Sequence, residues 1–231
     1  MTQVWAHRGV HDVAGENTLA AFGAAVALGV DGVELDVRRT ADGALVVCHD
    51  PAVGGHVIAA STRAALPASV PSLAAALDAC GALLVNVEVK NGPGAGEPVT
   101  EDAVDLARAV RAVVAAAGAQ RRVRYSSFAW QTAAALVASS PVDGLLDEGD
   151  DVGAALERAG ALGLAGVNPP RSALDANLVA RAHARGLAVH CWTVNEAGDL
   201  DACLAWGVDA IITDAPARAL ARRDLLGGSR V

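Results

Sequence analysis

Glu34 and Asp36 stand two residues apart in Val33-Glu34-Leu35-Asp36-Val37, and Glu88 and Lys90 stand two apart in Asn86-Val87-Glu88-Val89-Lys90. In a β-strand, residues two apart share a face, so each pair would project together while the valines pack on the other side. Three hard carboxylate oxygens meeting at one point suit Mg2+ or Ca2+, with waters and substrate oxygens completing the shell. Lys90 is the only lysine among 18 basic residues. A compact ammonium beside a carboxylate points to a metal and phosphate site, where a guanidinium fork would fit less well. His7 and His49 add two groups able to move protons near neutral pH, one for each side of a phosphorus atom. Taken singly, Glu34 and Asp36 could pair with Arg8 or Arg38, and one histidine at a strand end could be structural. Together they favour a site.

These residues need a scaffold that delivers them to one place. Runs read as strands at Val4 to Arg8, Gly32 to Arg38, Leu83 to Lys90, Val123 to Phe128, Val142 to Leu146, Gly166 to Asn168, Ala188 to Val194 and Ala210 to Thr213. Helical patterns follow at Thr18 to Leu28, Leu73 to Cys80, Asp102 to Ala117, Gln131 to Ser139, Val152 to Leu162, Asn177 to Arg185, Leu200 to Trp206 and Ala217 to Leu225. Glycines such as Gly29 and Gly207 close several helices. Eight strand–helix units predict a parallel (β/α)8 TIM barrel forming one domain over residues 1–231. An open doubly wound sheet is disfavoured because no Gly-x-Gly-x-x-Gly turn follows the first strand. One irregularity follows the second strand: a hairpin through Asp42-Gly43, a further strand Ala44 to Cys48, and a Gly-, Pro- and Ser-rich insertion from Pro51 to Pro71. Charges on the inner face of a barrel are costly unless paired or metal-bound, and here they gather at the carboxyl ends of three strands.

Composition narrows the functional classes. The chain is 53% hydrophobic, with a net charge of −8. Acidity and scattered arginines argue against a nucleic-acid partner. No signal-peptide pattern and no long uninterrupted apolar run is present, so neither export nor stable membrane insertion is expected. Cys48, Cys80, Cys191 and Cys203 lack zinc-site spacing and read as reduced core residues of a cytoplasmic protein.

The ordered series His7-Arg8-Gly9, Glu16-Asn17-Thr18, Glu34-Leu35-Asp36-Val37, His49-Asp50, Asn86-Val87-Glu88-Val89-Lys90, Ser127-Phe128, Trp192-Thr193-Val194-Asn195 and Thr213-Asp214 resembles that of glycerophosphodiester phosphodiesterases. The resemblance covers almost the whole chain. It implies a barrel that hydrolyses glycerophosphodiesters, as small-molecule substrates, to glycerol 3-phosphate and an alcohol, with one divalent cation. Carried over position by position, it implies Glu34, Asp36 and Glu88 as metal ligands, His7 and His49 as the acid/base pair, Arg8 and Lys90 as phosphate contacts, and Trp192 as an apolar wall. His7 as base and His49 as acid is one assignment; the reverse stands beside it. The nucleophile is water or the neighbouring glycerol hydroxyl.

The insertion at 51–71 is shorter than the family's and has Ser61-Thr62-Arg63 as its main polar content, which puts the headgroup preference in question. Glu16, Asn17 and Thr18 serve as a helix cap or touch substrate. Ser127 and Phe128 are expected to pack the barrel end, and Asp214 to order a loop. His11, His56, His183 and His190 show no acidic partner at an informative spacing. Two rival readings are a phospholipase D-like barrel acting on lysophospholipid or sphingolipid headgroups, and a silent barrel that only binds phosphorylated ligands. The second predicts loss of at least one of His7, His49, Glu34, Asp36 or Glu88, and all five are present.

Overall fold

A computed structural model describes residues 1–12, 14–91, 101–137 and 140–227. Its strands, in chain order, are β1 Gln3–His7, β2 Gly32–Arg39, β3 Leu45–Val47, β4 Ala52–Val53, β5 His56–Val57, β6 Leu84–Val89, β7 Val123–Ser127, β8 Val142–Leu145, β9 Gly166–Asn168, β10 Ala188–Cys191 and β11 Ala210–Thr213. The helices are α1 Leu19–Leu28, α2 Leu73–Ala79, α3 Ala103–Ala116, α4 Trp130–Leu136, α5 Val152–Ala161, α6 Ala176–His183, α7 Ala197–Trp206 and α8 Pro216–Gly227. β1, β11, β10, β9, β8, β7, β6 and β2 pair in that order, all parallel, and β1 pairs back to β2. The ring is therefore closed, as the alternation of strands and helices predicts. The far end of the predicted helix reaching Ser139 lies outside the described residues.

Local chemistry accounts for the element ends. Thr18, Ser72, Asp102, Asp151 and Asp175 each accept an amide of the first helical turn, satisfying a donor that has no intrahelical partner. Gly29 and Gly207 close α1 and α7 in the left-handed conformation. β10 stops at Cys191, three residues before its predicted end. From there the backbone of Trp192 pairs with the Pro169–Arg171 segment, which redirects the chain.

Two apolar layers of unequal size surround the strands. The large outer layer packs one face of each strand against the helices, with Val33, Leu35, Val37, Val85, Val87 and Val89 meeting Phe22, Leu73, Leu77 and Leu106. Inside the barrel the apolar cluster is small: Trp5, Ala210 and Ile212, with Leu84 and Trp192 against them. Polar side chains take much of the remaining interior, and Glu34, Asp36, Asn86, Glu88, Ser126, Asp143, Asn168 and His190 are all buried. Away from the carboxylate face, Asp143 on β8 accepts from Arg124 on β7 and from His190 Nδ1 on β10, at 2.8 Å for the histidine. His190 also lies against Trp5, with ring centroids 5.1 Å apart. It thus fills the interior, with an acidic partner 47 residues away. His183, half-exposed at the end of α6, likewise has a partner, donating to Asp209 at 2.9 Å.

The 51–71 segment is more ordered than a plain loop. β4 and β5 form a two-stranded ribbon, and short 3-10 turns at Ile58–Ala60 and Arg63–Ala65 follow. Ile58, Leu66 and Val70 pack with Val46 of β3 as a small separate core. Arg63 donates to the Val70 carbonyl at 2.7 Å and its amide donates to Asp42, so this arginine stitches the segment to the β2–β3 turn. No helix among the described residues is long and apolar enough to cross a membrane.

Gly9 sets how closely the end of β1 approaches α1. Its φ is +84°, and an added Cβ would lie 2.8 Å from the Ala21 carbonyl carbon. Gly9→Ala is expected to cost about 2 kcal/mol or more, through left-handed strain plus the clash with backbone. Urea denaturation should show this as a lower midpoint with unchanged slope; a change within about 0.5 kcal/mol would contradict the packing described.

Candidate active site

Strand register brings the carboxylates together. Asp36 lies opposite Glu88, Glu34 opposite Asn86, and His7 opposite Glu34. Glu34, Asp36 and Glu88 are 3%, 1% and 8% exposed, and each offers an oxygen within 4.8 Å of the others. Such a cluster is unstable unless it is compensated. Lys90 Nζ lies 3.0 Å from Asp36 Oδ1 and contacts Glu88 Oε1. Arg8 Nε lies 3.4 Å from Asp36 Oδ2, but Arg8 Nη1 is also bound to Glu16 at 3.0 Å, so its charge is shared. Lys90 and Arg8 thus contact the three buried carboxylates, Arg8 being partly engaged elsewhere, and the buried guanidinium of Arg38 adds charge that acts on Asp36 and Glu88. Among the described residues, Glu34 Oε1 and Asn86 Oδ1 meet no hydrogen-bond donor although both are buried.

The two neighbouring acids respond oppositely to this field. Burial raises the Glu34 carboxyl well above its ordinary value, and the charges of Asp36 and Glu88 push it further in the same direction. Burial also works against the Asp36 carboxylate, but Lys90 and Arg8 outweigh it and hold this group at about 2. Lys90 itself is raised, because Glu88 and Asp36 overcome the cost of burying its ammonium. Glu34 is therefore the member whose charge is least supported by the protein. Orphaned acceptors, an all-oxygen ligand set and a Glu34 charge that the protein supports poorly fit one hard divalent cation.

Asn17, left open in sequence between capping and substrate contact, is not the cap. Thr18 is the α1 cap, while Asn17 takes a left-handed φ of 55° and donates from Nδ2 to Asp36 Oδ2 at 2.8 Å. Arg8 is also left-handed, with φ 56°, and its backbone amide donates to Glu34 Oε2 at 3.1 Å. Two non-glycine residues in this conformation, both bonded to the acidic cluster, are strain located at the site.

The histidines enter from different elements. His7, at the end of β1, donates from Nδ1 to Asp214 Oδ1 at 2.7 Å, and its Nε2 lies 3.9 Å from Glu34 Oε2. Asp214 follows β11 and accepts from Asn195 Nδ2 at 2.8 Å and from His11 Nε2 at 3.1 Å. Burial opposes its charge, yet these donors, His7 first, hold it well below the usual carboxylate range. Asp214, expected only to order a loop, therefore also fixes the His7 ring, and His11 has an acidic partner after all. His49 follows β3 and donates from Nδ1 to Asp50 Oδ1 at 2.9 Å. Arg38, next on the inner face of β2 after Glu34 and Asp36, donates to the His49 carbonyl from Nε at 2.9 Å.

One cavity of about 320 Å3 joins these groups. His7, Arg8, Glu34, His49, Glu88 and Lys90 line its polar side, and Phe128, Leu145, Trp192 and Ile212 the other; Asp36 sits beneath, touching Lys90. Trp192 is held by its Nε1 donating to the Asn168 carbonyl at 2.8 Å, edge-on to Phe128. Phe128 therefore faces the cavity, which its neighbour does not: Ser127 Oγ donates to the Val89 carbonyl at 2.7 Å. Strand parity carried one step further, from Glu88 on β6 to the end of β7, is the signal that would have found Phe128.

Residues 7–60 and 55–218 match the model of the glycerophosphoryl diester phosphodiesterase family. A probable glycerophosphodiester phosphodiesterase 1 of Mycobacterium tuberculosis is 30% identical over 93% of this chain and 90% of that protein. A glycerophosphodiester phosphodiesterase of Caldanaerobacter subterraneus subsp. tengcongensis is 58% identical over 52 residues, 22% of this chain and 21% of that one. A phosphodiesterase structure from Oleispira antarctica, in complex with the product sn-glycerol-3-phosphate, superimposes with a TM-score of 0.86 at 25% identity, covering 97% of each chain.

Glu34 gives a test of these electrostatics that needs no substrate. A carboxyl raised on folding destabilises the native state as pH climbs from the unfolded value, about 4.3, through the folded value. Without divalent cations, Glu34→Gln is therefore expected to melt above wild type at pH 8, with the gap closing towards pH 4. Equal melting temperatures at both pH values would remove the strain assigned to this cluster.

Proposed function

This chain belongs to the glycerophosphoryl diester phosphodiesterase family, and from that membership we propose that it hydrolyses glycerophosphodiesters to sn-glycerol 3-phosphate and an alcohol, using one Mg2+ or Ca2+ ion held by Glu34, Asp36 and Glu88. The observation that carries this reading is the cluster of three buried carboxylates, with Glu34 Oε1 lacking a donor, at a cavity lined by two histidines and a lysine. A divalent ion there supplies charge for phosphate oxygens and lowers the pKa of a bound hydroxyl.

The protein's own groups divide the remaining work. Asp214 pins the proton of His7 on Nδ1, which leaves a lone pair on Nε2 beside Glu34. His7 is then the base that takes a proton from the attacking hydroxyl. His49 lies on a separate element, and as imidazolium it gives a proton to the departing alcohol oxygen. Lys90 and Arg8 face the cavity with positive charge and offset charge developing on the phosphate. The edge of Trp192 and the ring of Phe128 offer an apolar surface to the carbon face of the bound molecule. Four free cysteines, three of them buried, favour a cytoplasmic setting, and the chain acts as one domain.

The deciding assay measures glycerol 3-phosphate release from glycerophosphocholine, glycerophosphoethanolamine and glycerophosphoglycerol, with choline release from lysophosphatidylcholine as the competing arm. Release is expected to vanish on chelation and return with Mg2+ or Ca2+; undiminished turnover after rigorous metal removal would refute the carboxylate site. His7→Ala and His49→Ala are each expected to lower kcat by about 10²–10⁴-fold. Lys90→Arg keeps the charge but not the point geometry wedged between Asp36 and Glu88. It should retain the fold and lose about tenfold or more in turnover, and wild-type rates in that variant would make Lys90 incidental.

A further inference from the structure

A second convergence of ligand atoms lies on the opposite edge of the His7 ring. His7 Nδ1, His11 Nε2 and Asp214 Oδ1 all lie within 4.8 Å of one another. Both imidazoles aim at the same oxygen, at 2.7 and 3.1 Å. The other oxygen of Asp214 accepts from Asn195, whose own Oδ1 accepts from the Asp214 amide at 2.9 Å and from Thr213 Oγ1 at 3.1 Å. The carboxylate is therefore oriented from behind, with one oxygen left for whatever faces the two rings. This backing is what metal ligands need in order to hold a fixed direction. The three side chains are 16%, 25% and 35% exposed, so solvent reaches them without their being free to rotate.

We propose that His7, His11 and Asp214 form an inhibitory site for a borderline divalent transition metal, Zn2+ above all, separate from the hard-cation site. Two imidazole nitrogens and one carboxylate oxygen make a three-ligand set with an open position, which suits Zn2+ and is a poor match for Mg2+ or Ca2+. Zn–N and Zn–O bonds at a tetrahedral angle separate N from O by about 3.4 Å, so the present contacts of 2.7 and 3.1 Å need to open by less than about 1 Å each. Asp214 carries its negative charge at neutral pH.

The inhibition follows from proton placement and rests on the role proposed for His7. A neutral imidazole bonded to a metal through Nδ1 must carry its one ring proton on Nε2. His7 then has no lone pair facing the cavity and cannot accept a proton there. His11, bonded through Nε2, carries its proton on Nδ1. No proton is lost from either ring; each moves to the opposite nitrogen through solvent.

Two measurements test the site. With Mg2+ saturating, Co2+ is expected to give the strong visible bands of a four-coordinate site, two imidazole nitrogens and one carboxylate oxygen completed by water. Zn2+ should displace them, and they should be absent in His11→Gln. In the assay with glycerophosphocholine, Zn2+ should inhibit at a concentration that does not depend on Mg2+. That concentration should rise by about tenfold or more in His11→Gln, each protein being normalised to its own zinc-free rate. Inhibition that fades as Mg2+ is raised would assign Zn2+ to the carboxylates and overturn the proposal, as would His11→Gln behaving like wild type in either experiment. His11→Asn replaces His11→Gln if the latter melts early. Should the protein hydrolyse none of these diesters, the Co2+ bands still decide the metal site, so the two proposals fail separately.

Discussion

Three carboxylates buried within a few ångströms of one another dominate the energetics of this barrel. Most TIM barrels fill their interior with layers of branched aliphatic side chains, whereas here Glu34, Asp36 and Glu88 occupy inner positions on adjacent strands. Their mutual repulsion explains why Lys90 is wedged against two of them, why Arg8 and Asn17 adopt left-handed backbone conformations to bond to the cluster, and why Glu34 resists ionisation. The protein's compensation stops at a point that leaves room for a divalent ion.

The fold turns that constraint into a divided cavity. β1, β2 and β6 supply the charged side, while residues at or just beyond the ends of β7, β8, β10 and β11 supply Phe128, Leu145, Trp192 and Ile212. The histidines come from chain segments that the barrel alone does not fix. His49 depends on β3, an antiparallel extra strand on β2, and on Arg38 gripping its carbonyl. His7 depends on Asp214, which arrives from the far end of the chain and closes the ring of strands chemically as β11 closes it by hydrogen bonding. A polar half that can bind phosphate thus meets an apolar half that can hold a carbon skeleton.

Much of this was legible in the residues because it depends on local periodicity. The alternation in Val33–Val37 and Asn86–Lys90 names which side chains face inward, and parity alone places Glu34, Asp36, Glu88 and Lys90 on the same side of neighbouring strands. The closed barrel follows from the same repetition. Partners across long separations were not legible. His7 with Asp214 spans 207 residues and His190 with Asp143 spans 47, and no spacing rule joins them. Asn17 illustrates a different gap. A cap residue and a ligand-orienting residue look identical in Glu16-Asn17-Thr18, and only the left-handed backbone at Asn17 turns its amide towards Asp36. The 51–71 segment hid its order for a compositional reason: Ile58, Leu66 and Val70 are too sparse to read as a core until Val46 is seen beneath them.

The central claim is that cation binding completes a charge balance which Glu34 otherwise meets by holding a proton. Titration calorimetry with Mg2+ or Ca2+ in buffers of different ionisation enthalpy measures this directly, since ligand binding to a raised carboxyl must expel its proton. The account predicts one ion per chain with release of up to one proton, the release growing as pH is lowered towards 5 and disappearing in Glu34→Gln. Stoichiometric binding with no proton exchange at any pH between about 5 and 8, or identical exchange in Glu34→Gln, would contradict it.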